Sequence, residues 1–123
     1  MNKINATNSL SPLLKAENEL NKAKETSDIG NHGKARVCAR RAIGFVVEKY
    51  LDTHKELIPL YGKSFMNNVR GIANDEQLPE KIRKAAGQLV ARPEFDELEG
   101  NEAIKLAKTI IDFFTKSMSD NND

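Results

Sequence analysis

The stretch GKARVCARRAIGFVVEKYL, residues 33–51, is mostly apolar, yet it carries Arg36, Arg40 and Arg41 in its first half. Wound at about 100° per residue, it gathers Ala35, Cys38, Ala39, Ala42, Ile43, Phe45, Val46 and Tyr50 on one broad face. That face suits the core of a helical bundle, and its small residues let neighbouring helices come close. The other face is no ordinary solvent face, because Arg36, Arg40, Arg41 and Glu48 share it with Val37, Gly44, Val47 and Leu51. Glycine in mid-helix costs about 1 kcal/mol relative to alanine, so Gly44 predicts something packed tightly over it. A helix apolar on both sides is buried on both sides. The second cover is either another helix of this chain or a second copy of it.

The arginines then have a structural reading. Their stems cover apolar surface while their heads pair with carboxylates, with Glu17, Asp28 and Glu48 as candidates, or acidic groups of a second subunit. This structural or interface role stands ahead of phosphate or nucleic-acid binding, and catalysis comes last. The candidate binding or interface set is Arg36, Arg40, Arg41, Gly44 and Glu48.

The rest of the chain also reads as helix. Ser11 and Pro12 mark an N-cap and a first helical position, opening a helix over about 12–27. Its stripe is Leu13, Ala16, Leu20 and Ala23, with Leu14 beside it, and Lys15, Glu19, Lys22 and Glu25 form a solvated face. Gly30, Asn31 and Gly33 signal a tight connection to the arginine helix, about 34–52. Ile58-Pro59-Leu60-Tyr61-Gly62 ends that helix. Shorter helices follow over about 65–73, capped by Ser64, and 79–91, stopped by Arg92-Pro93. An acidic loop, Glu94 to Gly100, leads to a last helix over about 102–117 with Asn101 as cap. Short loops between amphipathic helices favour antiparallel neighbours. The expected fold is all-α: an antiparallel up-and-down bundle of four to five helices over residues 11–118. Residues 1–10 are expected to be a flexible N-terminus and 119–123 a disordered tail.

Composition narrows the function classes. With 19 basic and 18 acidic residues the formal charge is +1, which excludes a strongly basic nucleic-acid binder of the histone kind. Cys38 is the only cysteine, so no disulfide framework forms within the chain and a reducing compartment fits. Cys38 itself reads as a small buried hydrophobe. No window reaches the roughly 20 apolar residues of a membrane span, and the N-terminus lacks a signal-peptide apolar run. The expectation is a cytoplasmic protein with no membrane role.

Several chemistries fail on spacing. Gly30-Asn31-His32-Gly33-Lys34 hints at a phosphate loop, but the leading glycine would fall on Asp28 and the hydroxyl on Ala35, with no strand before it. Backbone N–H groups near Lys34 keep a weaker anion-holding reading, behind that of a plain turn. Clustered His and Cys ligands and Glu-x-x-His motifs are absent, so no metal or other cofactor is expected. His54 meets Ser64 only if folding brings them together, and no spacing favours a nucleophilic pair. Both histidines, His32 and His54, neighbour polar loop residues and read as exposed. The carboxylates of Glu94, Asp96, Glu97 and Glu99 lack calcium-loop spacing and read as a solvated loop, or as the partner of another subunit's arginines.

GKARVCARRAIGFVVEKYL, together with LPEKIRKAAGQLV and NEAIKLAKTIIDFF, resembles the HEPN family of small helical bundles. The resemblance covers most of residues 11–118. It implies a five-helix bundle, commonly a homodimer packed through long helices. Its members are partners of nucleotidyltransferases, ribonuclease toxins or nucleotide-binding modules. The ribonucleases use an Arg-x(4–6)-His motif, with arginine steadying phosphate and histidine moving the proton. Here His32 precedes every arginine and His54 follows Arg41 by 13 positions, so no catalytic residue carries over. The resulting expectation is a non-catalytic, homodimeric interaction module that assists a partner protein, nucleotidyltransferase-like or other, or binds a nucleotide. The alternative is a divergent ribonuclease toxin of a toxin–antitoxin pair that uses the arginines of the 34–52 helix on RNA.

Overall fold

Ser11 opens the first helix by accepting a hydrogen bond from the Leu14 N–H at 3.1 Å, with Pro12 next in line, where its missing N–H leaves nothing unsatisfied. The computed structural model describes residues 11–90 and 98–121. Helix α1 spans Pro12–Asp28 and α2 spans His32–Leu51. The turn between them is a Schellman closure: Asn31 N–H donates to Thr26 O at 2.8 Å and Gly30 N–H to Ser27 O at 2.9 Å. That geometry requires φ of +83° at Gly30, which glycine adopts without a Cβ penalty. Asn31 then caps α2 by accepting from Lys34 N–H at 3.1 Å, so the helix starts two residues before the expected Lys34.

The segment read as a break after α2 is instead helical. A 3₁₀ turn, Lys55–Leu57, runs into the one-turn helix α3, Ile58–Tyr61, with Pro59 in the first turn, where proline is tolerated. Gly62 ends it at φ +66°. Helix α4 spans Phe65–Asn74, capped by Ser64, whose hydroxyl accepts from Asn67 N–H at 3.1 Å. Helix α5 spans Glu80–Leu89 behind Pro79, and α6 spans Gly100–Asn121. Asn101 therefore lies inside α6 rather than capping it, and the helix runs on past Ser117.

Among the described residues every regular element is helical. The elements make the expected antiparallel up-and-down bundle, with five helices of ten residues or more. Helix α2 packs on α1, α4 and α6, while α5 closes the bundle against α4 and α6. The core is built from Ile43, Val46, Val47, Ile72, Leu89, Ile110 and Phe114, none more than 1% exposed. Glu19, expected on a solvated face, is instead buried at 5% exposure, because α2 lies across that side of α1.

A buried polar group anchors α3. Tyr61 donates its hydroxyl to Asp75 Oδ2 at 2.6 Å, and Asp75 Oδ1 accepts from Gln77 N–H at 3.0 Å in an Asx turn. Asn68 Nδ2 donates to the carbonyls of Tyr61 at 2.8 Å and Gly62 at 3.2 Å. Gly71 leaves room for this packing, since a Cβ there would sit 2.8 Å from Tyr61 Cα and 2.9 Å from Leu60 O. Tyr61 and Asp75 are both buried, so removing one partner leaves the other unsatisfied. Tyr61→Phe is expected to lower stability by about 1–3 kcal/mol, read by denaturant unfolding.

Burial, and next the bond to Asp75, pushes the Tyr61 phenol far above its ordinary range. The unfolded chain therefore loses this proton first, near pH 10. The stabilisation is whole below that pH and falls as pH rises above it. In an alkaline titration, the Tyr61 phenolate absorbance should appear only together with loss of the helical circular-dichroism signal. A phenolate contribution from Tyr61 in the intact fold near pH 10, isolated by comparison with Tyr61→Phe, would contradict the burial.

Candidate functional site

Residues four apart stand above one another on a helix, and one such line on α2 is His32, Arg36 and Arg40. All three hold backbone of the α5–α6 connection. His32 Nδ1 accepts from Gly100 N–H at 3.0 Å, which caps the start of α6. Arg36 Nη1 donates to Leu98 O at 2.7 Å. Arg40 Nη1 donates to Leu89 O at 3.0 Å, one of the carbonyls that a helix C-terminus leaves without an intrahelical partner and where a cation suits the helix dipole. The two guanidinium groups thus grip the chain on either side of residues 90–97. Gly100 sits so close to α1 and α2 that a Cβ would lie 2.6 Å from Ser27 Cβ and 2.8 Å from Ala35 Cβ.

These bonds of Arg36 and Arg40 run to main-chain carbonyls rather than to Glu17, Asp28 or Glu48. The acidic loop proposed for Glu94, Asp96 and Glu97 lies outside the described residues.

A neighbouring line, Val37, Arg41, Gly44 and Glu48, meets α4. Phe65 lies directly over Gly44, and an added Cβ would run into its ring. The close packing predicted at Gly44 is therefore met by a helix of the same chain. Phe45 meets the Phe65 ring edge-on at 5.2 Å. Arg41 places its guanidinium carbon 5.7 Å from the Phe65 ring centroid and its Nε 3.7 Å from Glu19 Oε1. Lys22 Nζ reaches the other oxygen of that carboxylate at 3.4 Å. Cys38, buried at 4% exposure, has its thiol pKa raised by burial and secondarily by Glu19, which keeps it protonated and unreactive.

Phe65 separates two surface grooves. One, of about 320 Å³, is lined by Val37, Arg40, Arg41, Phe65 and Met66. The other, of about 450 Å³, lies between Gly44, Glu48 and Leu51 of α2 and Ile58 and Phe65 beyond it. Four of the five sequence-predicted site residues thus border Phe65, while Arg36 stands apart at Leu98. The half-buried position of Phe65 over a glycine marks it as the element around which this surface is organised. Glu48 is exposed on the larger groove.

Neither histidine is the exposed side chain expected. His32 is the cap just described, and the bond requires Nδ1 unprotonated. His54 stacks on Tyr50 at 4.0 Å with 12° between planes, and its Nδ1 lies 3.0 Å from Thr53 Oγ1 and 3.1 Å from Tyr50 O. Ser64 uses its hydroxyl as a helix cap rather than in a pair with His54. Among the described residues no group of three His, Cys, Asp or Glu side chains could hold a metal ion, and no helix is long and apolar enough to cross a membrane. This arrangement offers concave apolar surface with charged rims, suited to binding. No family model, no curated protein and no solved structure matches the chain.

Two substitutions test the two lines of α2. Arg40→Ala should cost about 1–3 kcal/mol, the scale of losing a charge-assisted bond to a partly buried carbonyl, and should speed amide exchange at the end of α5. Unchanged stability would reduce Arg40 to a solvated charge. Gly44→Ala should destabilise despite alanine's better helix propensity, because overpacking costs about 1–3 kcal/mol. In a Phe65→Ala background the same change should cost nothing, giving a coupling readable from a double-mutant cycle. Equal effects in both backgrounds would show that Phe65 is not what excludes a side chain at Gly44.

Proposed function

We propose that this chain is a non-catalytic, HEPN-like helical interaction module that works as a homodimer in assisting a partner protein or binding a nucleotide. The observation that carries the reading is the commitment of the arginine helix. Arg36 and Arg40 direct guanidinium N–H groups at Leu98 and Leu89 carbonyls. Turning them toward a phosphate would strip those bonds from partly buried acceptors, at about 1–3 kcal/mol each. His32 is held as a helix cap, so three of the groups that phosphodiester chemistry would draw on, His32, Arg36 and Arg40, are used by the fold. What faces outward instead is surface for association, including Val37 at 45% exposure beside Arg41 and Met66.

Solution mass by light scattering, with parallel incubation of the protein with single-stranded RNA, tests this reading. A dimer mass with intact RNA is the expected result. RNA cleavage that disappears in Arg40→Ala/Arg41→Ala would replace the module with the ribonuclease, and a monomer at every concentration would remove the homodimer.

A further inference from the structure

Helix α3 presents a run of apolar residues to solvent. Ile58 is 38% exposed, Leu60 is 42% exposed, and Pro59 between them is exposed too. Three consecutive exposed apolar residues are costly in a soluble chain unless something covers them. This run is also firmly held. Asn68 binds the carbonyls at its end, Gly71 packs under its backbone, and Tyr61 is tied to the buried Asp75. A one-turn surface helix anchored by a buried polar network is a preorganised ridge, and preorganisation lowers the cost of docking.

Beside the ridge lies the 450 Å³ cleft, with Leu51, Ile58 and Phe65 supplying its apolar surface. Ridge and cleft share Ile58. The charges around the cleft divide by origin: Glu48 and Asp52 come from α2 and its C-cap, four residues apart, whereas Lys55 and Lys63 come from the chain on either side of α3. All four are exposed, and no ion pair among the described residues joins any of them to another.

Resting on the homodimer reading above, we propose that two copies of this chain pair about a two-fold axis here, each laying its Ile58–Leu60 ridge in the other's cleft. A two-fold contact uses the same patch on both partners, so the patch must complement itself. A ridge next to a hole meets that condition in shape. Two acidic and two basic side chains around one apolar centre meet it in charge when each copy's Glu48 and Asp52 face the other's Lys55 and Lys63. This surface differs from the arginine face first singled out in the sequence, sharing with it only Gly44, Glu48 and Leu51.

The test uses two charge-reversed full-length chains, Glu48→Lys/Asp52→Lys and Lys55→Glu/Lys63→Glu, with folding checked by circular dichroism. Mass is measured by sedimentation equilibrium for wild type, for each variant and for their equimolar mixture. The expected result is a wild-type dimer, association of each variant alone weakened by about tenfold or more through like-charge contact, and recovery of the dimer in the mixture. Leu60→Asp, which acts on the ridge rather than the charges, should also be monomeric. A dimeric wild type whose variants all stay dimeric overturns this interface and leaves the homodimer reading standing. Variants that dissociate but do not recombine overturn the two-fold charge pairing. A monomeric wild type overturns the homodimer reading itself, and this inference with it.

Discussion

The bundle depends on how little side chain α2 carries where other helices cross it. Ala35, Ala39 and Ala42 have no exposed surface, and Gly44 has no side chain to hold Phe65 away. A 20-residue helix packed on α1, α4 and α6 must be narrow on several sides at once, since interiors are filled to near-crystalline density. The same crowding dictates its polar residues. A charged head on such a helix survives only where its stem is covered and its donors find acceptors. Arg36 and Arg40 satisfy this at the carbonyls of Leu98 and Leu89, whereas Arg41 keeps its head half exposed, over the Phe65 ring and beside Glu19.

Those carbonyls explain what was legible in the sequence and what was not. Ser11, Pro12 and Ser64 announce their helices because a cap acts within three residues of itself. The stripe of α2 announces a core helix because periodicity is local. The main-chain groups bonded to Arg36, Arg40 and His32 lie 62, 49 and 68 residues away. They are backbone groups, which every residue possesses and no residue type signals. Charge matching points the arginines at carboxylates, which Arg41 meets at Glu19, but it carries no signal for a main-chain carbonyl. Glu19 misled for the related reason that its i+3 partner Lys22 makes that side of α1 look solvated, whereas α2 covers it. Gly44 was the exception: its propensity cost made a close neighbour legible, though not whether that neighbour was Phe65 of the same chain.

Helix α2 thus divides its polar residues between two adjacent lines with different duties. His32, Arg36 and Arg40 fasten the start of α6 and the end of α5, so the guanidinium groups act as fixed structure. Val37, Arg41, Gly44 and Glu48 border Phe65 and the two grooves that flank it. A guanidinium that doubles as an interhelical bond is a poor catalytic group, since engaging a substrate phosphate would release a carbonyl the fold has placed against it. A surface resting on such a fastened helix is, by contrast, well suited to docking, because rigid backing limits the entropy lost on association. The two lines are complementary in this respect: one fixes the bundle, and the fixed bundle gives the grooves beside the other a definite shape.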